Sequence, residues 1–464
     1  MKKIKLGLKI VSLLLFVIFI GLLFYIKMIP FKYIIIASVV LIVLLVLIML
    51  MMNSKKKAVG IIGMVLIVLM SAIFGTGIFY VNRTYKVINR VVDKDFNLST
   101  YYVLVKSDSS YQKLKDLKNK NLGFMQESAE KLKDEIKITF NNRTFDSIGN
   151  LYYAFTDNSI DAMVIGSGIY DGLVDNNDSF EKSVKIIAKL YVKADKKQEH
   201  VDIDVAKPFI IYLAGEDNGN GVQEFTRNDA NIIAVVNPYT HKILLVNTPR
   251  DYLLPLWNQK DKMDKLTHFG YYGINTSVSA METLYGVKVD SYVRICYEAV
   301  VNLVDSVGGI DIYSDKTFIT SHEPRVHVKK GMNHFNGTNA LAFSQERYAY
   351  ESGDRHRGQN QQAVLSAVIK KISTNKAYLL KYPDIIESVS DYFVTNISMN
   401  DVQELIKSQL NTLASWDVES ISVDGEGDMQ YTYSIPKEKK YVMIPSETSV
   451  KKAKDKINAV LKDA

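Results

Sequence analysis

Three apolar runs at the start of the chain constrain it more than any other feature. Residues 8–26, 31–52 and 58–81 each form a stretch of mostly hydrophobic side chains, and about 20 such residues carry a helix across a bilayer. The first has a basic start like a signal peptide, but it has no small-residue cleavage site and two more runs follow it. The lysines give an orientation. Lys2, Lys3, Lys5 and Lys9 cluster at the first run and Lys55, Lys56 and Lys57 lie between the second and third, against only Lys27 and Lys32 between the first and second. The positive-inside rule predicts a multi-pass membrane protein with a cytoplasmic N-terminus and everything after Val81 outside.

The outer part has to fold without a disulfide, because Cys296 is the single cysteine. It sits in the apolar stretch "YVRICYEAVVNLVDSVGG" and reads as a small buried hydrophobe. A net charge of +7 suits a chain beside anionic lipid or wall polymer. The short cytoplasmic segments carry no DNA-binding signature, so no nucleic-acid partner is expected.

Residues 82–98 read as a juxtamembrane stalk and 99–200 as an accessory domain. Its strand–helix–strand order, in "YYVLVKSDSS", "YQKLKDLKNKNLGFM" and "NLYYAFTDNSIDAMVIGSGIYDGLV", indicates a small α/β unit that resembles half of a bilobed solute-binding fold, with the role of accessory or spacer. The polar run "VKADKKQEHVDIDVAK" marks a boundary. Residues 205–464 then read as a three-layer α-β-α domain with a mixed central sheet. "PFIIYLAG", "NIIAVVNP" and "KILLVNTP" are its buried-type strands, the last two forming a hairpin. A helix over 358–372 shows one apolar face at helical spacing.

Charged residues from distant parts of this domain converge. If 208–214 runs antiparallel to 231–237, and that strand to 242–248, then Asp217, Asp229 and Arg250 share one edge of the sheet, with Asp251 and Arg227, a further candidate pyrophosphate ligand, beside them. A second basic cluster, Arg347, Arg355 and Arg357, falls within eleven residues of a chain with only ten arginines among its 57 basic residues. Arginine is favoured where a planar fork must grip phosphate or carboxylate at two points. Arg357 and Gln361 are four apart on a helix start, so they share a face near free N–H groups. Asp354 caps that helix or orients Arg357. Lys265 and His268 in "DKLTHFGYYG" lie where they could reach the same anion, although a lone histidine there more often serves structure. Two carboxylates can hold magnesium while arginines neutralise phosphate, a division of labour suited to phosphoryl transfer.

The blocks "NTPRDYLLP", "DKLTHFGYYG", "LVDSVGGIDI", "HFNGTNALAFSQER" and "GDRHRGQNQ" resemble, in order, those of the LytR-CpsA-Psr family. The match covers about residues 205–375, and the streptococcal capsule proteins called CpsA, with their multi-span N-terminus and accessory domain, look most similar. The resemblance implies a phosphotransferase that moves a capsular or other glycopolymer from a polyprenyl-pyrophosphate carrier onto peptidoglycan, with possible pyrophosphatase activity and with capsule assembly proteins as further partners. It assigns Asp217 and Asp229 to magnesium, and Arg250, Arg347, Arg357 and Gln361 to the pyrophosphate. Asp251 and Asp354 would support the arginines. The polyprenyl tail would enter an apolar channel lined from segments such as "AMETLYGV" and "AVVNLVDSV". One position departs from the pattern: Gln345 stands where family members usually carry arginine. The alternative function is a membrane-bound sensor or regulator that binds wall or capsule ligands without chemistry.

Overall fold

The computed structural model describes residues 2–92, 99–176, 179–192, 200–216 and 221–463. Helices α1 (Lys2–Ile26), α2 (Phe31–Met52) and α3 (Lys57–Val92) are each long and apolar enough to cross a membrane. Their flanks leave Leu13, Val40 and Val65 more than half exposed, as lipid-facing side chains would be. Phe16, Ile67 and Phe74 form the seam between the helices.

Helix α3 does not stop at Val81. Its 36 residues rise about 54 Å at 1.5 Å per residue, well beyond the ~30 Å hydrocarbon core. The expected stalk is therefore a continuation of the third span as far as Val92, and residues 93–98 lie outside the described residues. This extension docks on the helix Lys376–Val389. Arg83 lies 2.9 Å from Asp384 and also pairs with Glu387, and Arg90 lies 3.0 Å from Asp391. Ile26, Met28 and Ile88 pack there with Tyr382, Ile386 and Met399.

The accessory unit is a five-stranded mixed sheet in the order β3-β2-β4-β1-β5. Its strands are β1 (Ser99–Lys106), β2 (Asn121–Met125), β3 (Asn141–Phe145), β4 (Ala162–Gly166) and β5 (Val184–Val192). It is not a detached spacer. Leu151 and Phe155 belong to the same buried cluster as Tyr271 and Tyr272 of the following domain.

That domain is built on β6 (Phe209–Gly215), β7 (Ala230–Asn237) and β8 (Lys242–Asn247). The pairing is the antiparallel one the sequence suggested: Gly215 faces Ala230, and Ile232 faces Asn247. Strands Ser291–Ile295 and Phe393–Thr395 extend the sheet beyond β6, and Asp417–Ser422 extends it beyond β8. Alternation sends the two sides of β7 into different layers. Ile233 and Val235 meet the helices Ile274–Tyr285 and Glu447–Lys462 through Met281, Tyr285 and Ile457. Ile232 and Ala234 face Leu365 and Ile369 of the helix Asp354–Thr374. Both faces are covered, which explains strands written as continuous apolar runs rather than alternating ones.

Candidate active site

The register brings the end of β6, the start of β7 and the end of β8 to one edge. Asp229 stands there just before β7, its N–H bonded to Gly215 O at 2.7 Å. The loop after β8 delivers Arg250, whose guanidinium donates to Asp229 Oδ2. From across the domain the helix Asp354–Thr374 brings Arg357. This helix begins four residues before the predicted 358, and Gly358 lets it press against the Asn247 side chain, where no Cβ would fit. Arg357 Nη1 lies 3.8 Å from Asp229 Oδ2, and its Nη2 reaches the Asp229 carbonyl at 3.4 Å. Asp354 bridges the two forks: its Oδ1 is 2.8 Å from Arg357 Nη2 and 3.3 Å from Arg250 Nε.

The electrostatics follow from burial. Asp229 is only 4% exposed at its side chain. Desolvation alone would raise its pKa, but Arg250, Arg227 and Arg357, with the Thr267 hydroxyl donating at 3.0 Å, outweigh it and hold the carboxyl well below the ordinary carboxylate range. Burial works against Arg250 in the same way, and Asp229, Asp354 and Asp251 overcome it, so its pKa is raised. The cluster holds three guanidiniums against two carboxylates. Among its buried atoms, Arg250 Nε and Asp354 Oδ1 lie close to each other, yet their angles leave both without a hydrogen bond.

Behind this charged edge lies a cavity of about 320 Å³ between the sheet and the helices. Leu213, Ile232 and Val293 form one wall, and Val300, Leu303 and Val368 the other. Asp229, Arg357, Gln345 and Gln361 sit on its lining as the polar end. "AVVNLVDSV" lines it as expected. "AMETLYGV" does not: Met281 and Tyr285 pack against the opposite face of the sheet, because their helix follows a connection on that side.

Several expected ligands are placed elsewhere. Arg347 takes no part in the ion-pair cluster. The buried carboxylate of Glu346 accepts the N–H groups of Tyr348 and Ala349 at 2.7 and 2.8 Å, and this turn lays Arg347 over the Tyr348 ring, 4.8 Å from its centre. Its Nε is buried without a hydrogen-bond partner. Gln345 ends the helix Gly337–Gln345 and lines the cavity, whereas Arg347, beyond the helix end, is not on that lining. Arg355 pairs with Asp424. Asp251 contributes charge near Arg250, but its direct partner is Lys265 at 2.9 Å, so Asp251 does not grip an arginine fork and Lys265 is held by Asp251. His268 is structural, bonded through Nδ1 to Asp264 at 2.7 Å and stacked on Tyr271. Cys296 is buried, and burial with the neighbouring Glu298 pushes its thiol up to about 12, which leaves it inert.

Asp217 lies outside the described residues, and among those described no three acidic, histidine or cysteine side chains gather as a metal cage. Asp229 already accepts from Thr267 at one oxygen and from Arg250 at the other. Two carboxylates among three guanidiniums suit an anion first, and a cation only together with oxygens that the anion brings.

The sequence reading missed the support of this edge. Glu216 and Arg294 are fully buried and paired at 3.0 Å. Arg294 also holds Gln223 O at 2.8 Å, Glu224 O at 2.9 Å and Asn228 Oδ1 at 2.7 Å. The available signal was an arginine inside the apolar strand "SYVRI".

The model of the LytR_cpsA_psr family matches residues 176–457. The chain belongs to the LytR-CpsA-Psr family. The family match extends beyond the expected 205–375 at both ends, taking in the strand Asp417–Ser422 and most of the last helix. A Bacillus cereus relative named polyisoprenyl-teichoic acid–peptidoglycan teichoic acid transferase TagU is 30% identical over 275 residues, 58% of this chain and 86% of that one. A protein of the same name from Enterococcus faecalis is 28% identical over 249 residues, 53% of this chain and 80% of that one. The crystal structure of Bacillus subtilis TagV overlays with a TM-score of 0.47 at 24% identity, over 56% of this chain and 99% of that one. In this LytR-CpsA-Psr chain the arginine cluster and the apolar cavity adjoin.

Proposed function

We propose that the protein is a membrane-anchored phosphotransferase that takes a capsular or other wall glycopolymer from a polyprenyl-diphosphate carrier and joins it to peptidoglycan, as the names of its relatives describe for teichoic acid. The observation that carries this reading is one cavity, apolar along its length, whose polar end carries Asp229 and Arg357 of the ion-pair cluster. A polyprenyl tail fits the first part, and a diphosphate fits the second.

The acceptor hydroxyl attacks the phosphorus that bears the glycan, the bridging oxygen leaves with polyprenyl phosphate, and the proton lost by the hydroxyl passes to that departing phosphate. Arg250 and Arg357, locked by Asp354, meet the negative charge where it gathers on the bridging and equatorial oxygens. Asp229 is held too far below the usual range to be an effective base, so its role is to orient these forks. Magnesium enters the proposal as a companion of the diphosphate, with Asp229 and Asp217 as its carboxylates, adding charge neutralisation at the phosphates. The domains after α3 face outward.

The test is reconstitution of the full chain with a polyprenyl-diphosphate glycan and peptidoglycan fragments. Release of polyprenyl phosphate together with a phosphodiester-linked product is expected. Retention of the lipid with neither product over many hours would instead make the chain a sensor of its ligand.

A further inference from the structure

The segment between β6 and β7 carries Arg227 to the charged edge, and it is gripped from two sides. On one side Arg294 holds it, as described above. On the other lies the accessory domain, through its helix Ser167–Asn176. Gly168 and Gly172 are four residues apart and so share one face of that helix. A Cβ at Gly168 would stand 2.5 Å from Thr226 Cβ and 2.7 Å from Thr226 Oγ1. A Cβ at Gly172 would collide with Tyr271 Oη and stand 3.6 Å from Arg227 Cδ. Polar contacts fix the same seam: Ser167 Oγ donates to Gln223 Oε1 at 2.9 Å, Ser99 Oγ to Glu224 Oε2 at 3.0 Å, and Lys131 lies 3.3 Å from Glu224. Phe225 packs against the accessory core. The buried Arg227 is one of the charges that keep Asp229 ionised.

We infer that the accessory domain completes the anion site of its neighbour, with Gly168 as the positioning residue that sets, through Thr226, where Arg227 presents its guanidinium. The inference rests on the reading of Arg227 as a diphosphate ligand. A side chain at 168 would push Thr226, the residue before Arg227, away from the sheet edge, and one at 172 would push the Tyr271 ring while only touching Arg227. The accessory domain thereby acts on the site without touching substrate.

The test uses the full chain in vesicles with a polyprenyl-diphosphate glycan, and the variant Gly168→Ala. Displacing one charge-assisted contact should raise KM about ten- to a hundred-fold, with kcat changed less, because a contact made equally in ground and transition states appears in KM. Two further variants make the route explicit. Thr226→Gly removes the Thr226 atoms that the new methyl meets, so adding it to Gly168→Ala should restore most of the affinity relative to Thr226→Gly alone. In an Arg227→Ala background, Gly168→Ala should add nothing. An unchanged KM for Gly168→Ala, absence of rescue, or an equal further loss without Arg227 would each overturn the inference. A wild-type chain that fails to turn over the lipid would instead overturn the proposed function, which separates the two.

Discussion

Asp229→Asn is the change whose consequences can be worked out furthest. The carboxylate is 4% exposed and its partner Arg250 17% exposed, so solvent screens the pair little. The amide keeps the shape and can still accept from Thr267, but Arg250 and Arg357 lose the charge that compensates them. Breaking a buried pair while leaving its cation behind costs about 3–5 kcal/mol. For a unit of this size that is a fall in Tm of about 6–20 °C. Position at a strand end does not spare the fold, because the group is buried. The pH dependence has a definite sign. The folded pKa is depressed, so the contribution is complete above the unfolded value of about 3.9 and is lost only as pH falls through the lower folded value. The gap between wild type and variant should therefore stay constant from pH 5 to 8. A diphosphate lipid supplies the missing negative charge, so its stabilising shift should be larger in the variant than in the wild type. Calorimetry of the full chain in detergent, with and without the lipid, measures all three. A Tm within about 2 °C of wild type, a gap that closes towards pH 5, or an equal ligand shift would refute this account of the cluster.

Arg250→Lys keeps charge but loses the fork that reaches both Asp229 and Asp354, and transferase turnover should fall about ten- to a hundred-fold; an undiminished rate would mean that diffuse charge suffices. Chelation of magnesium should stop turnover yet leave the Tm of the lipid-free chain unchanged, whereas a fall in that Tm would make the cation a resident part of the fold. A reporter fused after Ala464 should be active only in a form that folds outside the membrane, and activity of a cytoplasmic reporter would invert the topology. Gln345→Arg adds a fork at the polar end of the cavity and should speed turnover about ten- to a hundred-fold; an unchanged rate in a folded variant would show that residue 345 stays clear of the phosphates.

The parts legible in the sequence were those governed by short-range pattern. Continuous apolar runs with turn residues between them specify the β6–β7–β8 register, and the register alone brings Asp229 and Arg250 together. The pairing of Asp354 with Arg357 was legible for the same reason, since one helix turn fixes which residues share a face, whereas Arg347 and Arg355 of the same stretch turn elsewhere. What escaped depended on single side chains that redirect the backbone. Glu346 is an ordinary acidic residue in the sequence, but once buried it captures two backbone N–H groups and turns Arg347 away. "AMETLYGV" and "AVVNLVDSV" have the same apolar character, and only the side of the sheet on which each helix packs makes one core and the other cavity wall. The end of α3 was hidden because a hydropathy pattern reports where lipid-compatible residues stop, and a helix can continue past that point into contact with protein.

The continuation of α3 bears on how a lipid-linked substrate could be handled. The helix Lys376–Val389 meets the end of α3 through Tyr382, Ile386 and the Arg83 pairs, and the same helix contributes Val389 to the cavity lining. One helix thus touches both the membrane anchor and the apolar cavity. The ion pairs at this seam are exposed and screened by solvent, so the apolar cluster of Ile26, Met28, Ile88 and Ile386 has to supply most of the hold. A flexible tether would leave the cavity free to turn away from the bilayer. A docked anchor fixes its distance, and a polyprenyl chain entering the cavity then has a short, constant path from the lipid phase to the arginines.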